Sequence, residues 1–182
     1  MISGWTLDKK VETLMSESQY DNLSLKESLG KNGIRGKTVL ILSSWFCVGL
    51  IPKARGTFGT LASVPLVFGM SYLGVLPGTI FLFMFIIIAI MLSGYGEKLL
   101  EKDDPPEIVI DEVAGFLITL FLLPFSLHIL SLGFLLFRFF DILKPFPIKR
   151  LERIGGGTGI VLDDVLAGVY ANLCVRFVIY FL

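Results

Sequence analysis

The chain has 182 residues, of which 54% are hydrophobic, and its 16 Lys and Arg residues balance its 16 Asp and Glu residues. Soluble domains contain roughly 45–50% apolar residues even when glycine is counted, so this composition excludes an ordinary soluble protein. The zero net charge argues against a nucleic-acid partner. Because the apolar residues are concentrated in blocks, the sequence predicts an integral membrane protein.

The N-terminal region, residues 1–37, is polar and charged and contains no apolar core of a secretory signal. We expect a solvated cytosolic extension that is partly helical around 7–15 and 23–29. The membrane domain is predicted to cover 38–182. Its first apolar block, 39–51, has only thirteen residues, short of the ~20 that a membrane helix needs. A short interfacial or re-entrant segment is therefore expected there.

The later apolar blocks predict an all-α, polytopic fold of two helical hairpins plus a C-terminal helix. The five predicted helices are Leu61–Leu76, Thr79–Tyr95, Ile108–Leu123, Phe125–Leu143 and Ile160–Leu182. Pro77-Gly78 is the predicted turn of the first hairpin, and Pro124 marks the turn of the second.

The distribution of positive charge predicts the orientation. Neither hairpin turn carries Lys or Arg, and every cation except Arg176 lies in the remaining segments. Alternation puts those segments on one side of the membrane, and the positive-inside rule makes that side cytosolic. One kinked span over 113–137 is rejected because it would put Lys144 and Arg153 outside.

Four polar clusters are predicted to meet at the cytosolic border, and the first precedes the Leu61 helix. Its glycines let the backbone turn so that N–H groups converge, and Thr60 is placed to cap the helix. A helix N-terminus also favours anions. The phosphate-binding candidates here are Arg55, Thr57, Gly59 and Thr60. A helix cap after a glycine turn is the simpler alternative.

Two pairs of adjacent carboxylates, Asp111-Glu112 and Asp163-Asp164, follow similar apolar runs, and an Ala-Gly dipeptide follows each pair. Adjacent carboxylates repel, and a divalent cation is the simplest compensation near lipid. Hard oxygen ligands favour Mg²⁺. The alternative is that these acids only complement a helix dipole. We expect the two helices to pack side by side through Ala-Gly and to share one metal site.

The remaining cluster has Arg138, Asp141 and Lys144 at three-residue intervals where an apolar segment stops. Arg138 and Asp141 share one helical face, and Pro145 forces Lys144 out of helical geometry. Charge is costly at a membrane border, so two cations beside one carboxylate suggest phosphate and metal handling. A plain Arg138–Asp141 ion pair is the alternative.

Other phosphatase chemistries are not indicated. Cys47 is followed six positions later by Lys53, so the Cys-x5-Arg pattern of cysteine phosphatases is missing. The only histidine, His128, lies among leucines.

Together these motifs resemble the phosphatidylglycerophosphatase A family, in its order and spacing over about residues 39–180. The stretches that carry the resemblance are Gly56–Ala62, Ile108–Gly115, Phe137–Ile148 and Gly156–Gly168. Arg55 departs from the family pattern, which has proline there. Phe146 stands where tryptophan is usual, and Thr60 where serine is usual.

The resemblance implies a Mg²⁺-dependent lipid phosphatase, multi-pass in the bacterial cytoplasmic membrane, with its active site facing the cytosol. It would hydrolyse phosphatidylglycerophosphate to phosphatidylglycerol and inorganic phosphate. The implied metal ligands are Asp111, Glu112, Asp141, Asp163 and Asp164. The implied catalytic residues are Arg138, Asp141, Lys144 and Asp164, with Arg138 and Lys144 also binding phosphate.

Three questions stay open at the level of sequence. Asp141 is a further metal ligand, a base for water, or a nucleophile. The substrate is phosphatidylglycerophosphate or a related lipid phosphate. The acidic cluster could also serve a coupling ion in a small transporter, whereas a CDP-alcohol phosphotransferase is disfavoured because its Asp-Gly-x2-Ala-Arg run is absent. A lipid substrate is the expected partner, and a homo-oligomer is not derivable.

Overall fold

The computed structural model describes residues 25–151 and 154–181, and within these ranges the protein contains helices and turns but no strand. The helices are α1 Ile34–Ser43, α2 Arg55–Ala62, α3 Val64–Ser71, α4 Val75–Leu100, α5 Ile110–Leu120, α6 Leu127–Leu143, α7 Ile148–Leu151 and α8 Gly156–Phe181. Residues 25–31 are also helical, and Val48–Leu50 forms a 3₁₀ turn. The all-α prediction is confirmed.

The central helix is α8, which packs against α4, α5 and α6. Its neighbour α5 runs in the same direction, because Gly115 lies against Asp164 and the end of α5 lies against Asn172. Helix α4 runs the opposite way, with Gly94 beside Gly157. We call the end of the bundle that carries Asp111, Asp141 and Asp164 the acidic end.

Glycines bring α5 and α8 together at backbone distance. A Cβ atom added at Gly115 would lie 2.6 Å from the carbonyl oxygen of Asp164, and one added at Gly168 would overlap the carbonyl oxygen of Gly115. A side chain at either position would therefore push the helices apart. The predicted side-by-side packing through Ala-Gly is confirmed.

A polar contact holds α5 against α8 at the opposite end of the bundle. The Asn172 amide donates to the carbonyl oxygens of Ile118, Thr119 and Phe121 at 3.1, 2.9 and 3.0 Å. Arg176 donates to the Asn172 side chain at 2.7 Å and to the Phe121 carbonyl at 3.0 Å. We call Asn172 and Arg176 the carbonyl clamp, because they satisfy the acceptors that the short helix α5 leaves at its end.

Two apolar cores flank α5 and α8. One surrounds Phe116 and Phe137, and the other surrounds Ala89, Ile110 and Val161. Leu25 belongs to the second core and is 1% exposed, so the expectation of a solvated extension is wrong at this residue. The predicted helix at 7–15 lies outside the described residues, and the predicted domain boundary after residue 37 stays a prediction.

The predicted turn of the first hairpin is wrong. Pro77 and Gly78 lie in the first turn of α4, which begins at Val75 with Gly74 as its N-cap. Proline is tolerated there because the first N–H groups of a helix have no intrahelical partner. The chain instead turns at 72–74. The region predicted as one helix, Leu61–Leu76, instead contains the end of α2 and all of α3.

The other helices agree better with the sequence. Helices α5 and α6 begin and end within three residues of their predicted bounds, whereas α8 begins at Gly156 rather than Ile160. By length and composition, α4 and α8 could each cross a membrane. Helix α4 also leaves Phe83 64% and Met91 56% exposed, an apolar surface that suits contact with lipid. The interfacial or re-entrant placement of 39–51 and the membrane hairpins stay predictions.

Candidate active site

The segment that contains the predicted phosphate loop is helical. Arg55 is the first residue of α2, and Ala54 precedes it in a left-handed conformation. The predicted glycine turn capped by Thr60 is therefore wrong: Thr60 lies inside α2, where its hydroxyl donates to the Gly56 carbonyl at 2.7 Å. The backbone N–H groups of Gly59 and Thr60 also lie beyond the first turn, where helical bonds use them. Only Arg55 and Thr57 of the four candidates occupy the first turn.

Three of the predicted carboxylates come together at the acidic end. Asp111, Glu112 and Asp164 each offer one oxygen, and these oxygens lie within 4.8 Å of one another. Helix α5 begins immediately before Asp111, so both of its acids lie in its first turn. Asp111 is 9% and Asp164 is 4% exposed. The glycine contact between α5 and α8 sets this proximity.

Two of these carboxylates have an oxygen without a hydrogen bond. Oδ1 of Asp111 and Oε2 of Glu112 are buried and accept no hydrogen bond from the residues that the structure describes. Buried polar groups are nearly always paired, and buried like charges are costly. Several close carboxylate oxygens in such a place fit a hard divalent cation such as Mg²⁺. The donor set is therefore suited to the predicted metal.

Asp163 differs from its neighbour Asp164. Its Oδ2 accepts a hydrogen bond from Lys144 at 2.7 Å, and its Oδ1 accepts one from the Asp164 backbone N–H at 2.9 Å. Both oxygens are thus hydrogen-bonded within the protein, and Asp163 lies outside the group of three. The structure brings Asp163 next to Lys144 rather than into the predicted ligand set.

Arg138 and Asp141 form an ion pair on α6, with 2.5 Å between Nη1 and Oδ2. The pair is not isolated, because the Asp141 side chain also lies within hydrogen-bonding reach of Asp164. Arg138 in turn lies beside Gly56, where an added Cβ atom would be 2.8 Å from its Nη1 and would overlap Glu112. Asp141 therefore joins the ion pair to the three carboxylates.

Lys144 is the C-cap of α6 and has a left-handed conformation, with φ of 43°. The prediction that it leaves helical geometry before Pro145 is confirmed. This geometry takes its side chain off the helix toward Asp163. Two cations are thus near the acids: Arg138 beside Glu112 and Lys144 on Asp163. Arg55 lies in the first turn of α2, next to Gly56.

Sequence analysis missed two contributors to this site. Gly56 lets the first turn of α2 approach both Glu112 and Arg138, and only its place in a glycine-containing motif hinted at this role. Glu107 is fully buried and pairs with Lys102 at 3.5 Å. Its position just before the apolar run 108–110 was the one signal for it in the sequence. The loop that contains Glu107 leads directly into α5 and so helps to position Asp111.

Fold and site together define a class of protein. A helical bundle with an apolar outer surface, which groups carboxylates beside an arginine and a lysine at one end, is suited to phosphate esters of lipids. The family model for phosphatidylglycerophosphatase A matches residues 41–179. The chain belongs to the phosphatidylglycerophosphatase A family and is a phosphatase. This membership confirms the resemblance and sets aside the transporter alternative.

Several relatives are similar over most of their length. A protein of Haemophilus influenzae named Phosphatidylglycerophosphatase A is 39% identical over 148 residues, which cover 78% of this chain and 89% of that protein. One of Escherichia coli K12 with the same name is 36% identical over 131 residues, or 71% and 76% of the two chains. A Bacteroides thetaiotaomicron protein named "Putative phosphatidylinositol-3-phosphatase" is 31% identical over 146 residues, or 75% and 90%. No solved structure matches the chain.

Proposed function

We propose that the protein hydrolyses phosphatidylglycerophosphate to phosphatidylglycerol and inorganic phosphate with the help of Mg²⁺. The observation that carries the proposal is the pair of buried, unbonded carboxylate oxygens on Asp111 and Glu112, close to Asp164 and next to cationic side chains. The family and the names of two of its relatives support this substrate.

In this proposal Asp111, Glu112 and Asp164 hold the metal ion. Mg²⁺ in such a site would neutralise charge on the terminal phosphate and make a water molecule more acidic. Asp163 has another task, since it holds the Lys144 ammonium close to the carboxylates. Lys144 then offsets phosphate charge as a point charge, and Arg138 does so with its planar guanidinium.

Asp141 lies between Arg138 and Asp164, which suits two routes. In one, the carboxylate takes a proton from the water that attacks phosphorus and displaces phosphatidylglycerol. In the other, the carboxylate itself attacks phosphorus and displaces phosphatidylglycerol, and water then cleaves the aspartyl phosphate. Hydrolysis of a substrate whose terminal phosphate is chiral through oxygen isotopes and sulfur distinguishes them: retention of configuration at phosphorus supports the covalent route, whereas inversion supports direct attack by water.

The proposed location is the bacterial cytoplasmic membrane, with several helices crossing it and the acidic end facing the cytosol. The exposed apolar surface of α4 supports contact with lipid. The positive-inside rule supports the orientation, because Lys144, Lys149 and Arg150 lie at or next to the acidic end. In this arrangement the acyl chains stay in the bilayer while the terminal phosphate reaches the carboxylates.

The test is phosphate release from phosphatidylglycerophosphate by protein purified in detergent, with Mg²⁺ and after chelation. We expect chelation to abolish turnover and Asp164→Asn to lower turnover by about 10³-fold, as loss of a group that stabilises transition-state charge does. Asp103→Asn, an exposed acid in the loop before α5, is the matched control and should retain wild-type turnover. Full activity after chelation, or in Asp164→Asn, would contradict the proposal.

A second candidate substrate is a phosphorylated inositol lipid, because the Bacteroides thetaiotaomicron relative is named for one. The same assay with phosphatidylinositol 3-phosphate compares the two lipids directly. A higher kcat/KM for the inositol lipid would favour this second candidate.

A further inference from the structure

We propose that an opening next to the acidic end binds the phosphodiester of the lipid substrate, the phosphate group that hydrolysis leaves in place. The inference rests on the proposed function and adds a second phosphate subsite to it. The opening has a volume of about 320 Å³, and its lining residues are Lys144, Phe146, Lys149 and Arg150. We call it the cationic opening.

The lining residues suit an anion with an organic neighbour. Three of the four are cations, and none of the lining residues that the structure describes is acidic. The Arg150 guanidinium lies 4.7 Å from the centroid of the Phe146 ring. Stacking of this kind holds the guanidinium plane while leaving its edge N–H groups available to a phosphate. The opening is therefore partly ordered for an anion before one binds.

Lys144 connects the cationic opening to the acidic end. Its side chain lines the opening, and its ammonium donates to Asp163, the neighbour of Asp164, at 2.7 Å. In phosphatidylglycerophosphate one glycerol joins the phosphodiester to the terminal phosphate. A ligand with two phosphates so close together can place its terminal phosphate at the carboxylates and its phosphodiester in the opening, with Lys144 next to both.

Exposed apolar residues lie next to the cationic opening in the chain. Leu143 is 61% and Phe146 is 71% exposed, and both lie within two residues of Lys144 in the chain. The exposed apolar side chains thus adjoin the cations, and one of these cations, Lys144, contacts a carboxylate of the acidic end. Acyl chains, phosphodiester and terminal phosphate follow one another in the lipid. This correspondence assigns the diester rather than free phosphate to the opening, since free phosphate would use no apolar neighbour.

The test compares two substrates in mixed micelles of neutral detergent. Phosphatidylglycerophosphate carries the diester, whereas phosphatidate has its terminal phosphate attached directly to the diacylglycerol. The measured quantity is kcat/KM for phosphatidylglycerophosphate divided by kcat/KM for phosphatidate. We expect the double variant Lys149→Gln/Arg150→Gln to lower this ratio about tenfold, because its KM for phosphatidylglycerophosphate rises while that for phosphatidate does not. The single variants should show smaller changes in the same direction and serve if the double variant does not fold.

Lys37→Gln is the matched control, because Lys37 is exposed and does not line the opening; it should leave the ratio as in the wild type. A second readout is inhibition by phosphatidylglycerol, which has the diester but no terminal phosphate. Its inhibition constant should rise about tenfold in the double variant, the same factor as KM.

The outcomes separate the two proposals. An active wild type whose substrate ratio and product inhibition do not change in the double variant overturns the diester subsite and leaves the proposed function intact. An equal rise in KM for both lipids also overturns it, because that result shows a general attraction of anionic lipid to cations. A wild type that hydrolyses neither lipid overturns the proposed function itself.

Discussion

The two ends of the α5–α8 contact use polar side chains in opposite ways. In the carbonyl clamp, Asn172 and Arg176 donate to carbonyl oxygens at and just after the end of α5, through hydrogen bonds of 2.9–3.4 Å. At the acidic end, by contrast, Asp111 and Glu112 keep buried oxygens that accept nothing from the described residues. A polar group inside an apolar bundle is therefore not by itself a sign of function. A group of close carboxylates whose buried oxygens accept no hydrogen bond is a better sign.

The two ends also depend on each other. Helix α5 has only 11 residues against 26 in α8, so α5 could slide along α8 unless something fixed its position. The carbonyl clamp fixes one end of α5, and the contact between Gly115 and Gly168 fixes the middle. The position of Asp111 relative to Asp164 follows from these two contacts. The carbonyl clamp at one end of the bundle thus helps to set the distances between the carboxylates at the acidic end.

Among the variants that test this comparison of the two ends, Glu112→Gln has the largest expected effect. This change removes a charge that repels its neighbours and that the proposed metal site needs, so we expect turnover to fall by about 10²–10³-fold. Stability in the absence of Mg²⁺ should nevertheless stay equal or rise, since the change relieves repulsion among several close carboxylates. Kinetics and thermal unfolding with and without Mg²⁺ check both parts. If Mg²⁺ still raised Tm in the variant as in the wild type, Glu112 would not belong to the metal site.

A smaller loss of activity but a larger loss of stability is expected for Gly168→Val. The new side chain would overlap the Gly115 carbonyl, and overpacking of this kind costs about 1–3 kcal/mol or more. Tm and turnover should fall together, because helices that are pushed apart also move the carboxylates apart. Gly69→Ala is the control, since no atom lies within 4 Å of the added Cβ there. Equal Tm values for Gly168→Val and wild type would contradict close packing.

Asn172→Leu removes the clamp without changing the size of the side chain greatly. Loss of its hydrogen bonds to buried carbonyls should cost about 1–3 kcal/mol of stability. Because the clamp lies at the end of the bundle opposite the carboxylates, turnover of the folded protein at saturating Mg²⁺ should stay close to that of the wild type. The affinity for Mg²⁺ should fall as α5 loses its fixed position. These effects are the reverse of those expected for Glu112→Gln, which should lose turnover but keep its stability. If saturating Mg²⁺ failed to restore turnover in the folded variant, the clamp end would take part in chemistry.

The pairing of α5 with α8 could be predicted because its signals are local and repeated. Each helix carries two adjacent acids, and an Ala-Gly dipeptide follows them about one turn later, so that acids and glycines recur on matching faces. Sequence could not decide between Asp163 and Asp164 in the same way. Neighbouring residues on a helix point about 100° apart, and only the position of Lys144 on another helix decides which one it contacts.

The conformation of α2 was not predictable for a different reason. Two glycines and two threonines in 55–60 favour a turn over a helix by intrinsic propensity. Tertiary contacts override that preference: Gly56 fits against Glu112 and Arg138, and Gly59 fits against Val109. The same glycines that suggested a turn are small residues that let a short helix approach the site. A single sequence does not show which neighbours such glycines will pack against.

The smallest expected effect tests the helical conformation of α2. Thr60→Val keeps the shape of the side chain but removes the hydroxyl that donates to the Gly56 carbonyl. The lost hydrogen bond should lower stability by about 0.5–1.5 kcal/mol, with KM for phosphatidylglycerophosphate unchanged. Thr60→Ser, which retains the hydroxyl, is the control for KM and should match the wild type there; its stability should fall only through the loss of one buried methyl group. A rise in KM in Thr60→Val but not in Thr60→Ser would mean that the hydroxyl binds phosphate, as a glycine loop would require, because a hydroxyl engaged only with Gly56 has no route to KM.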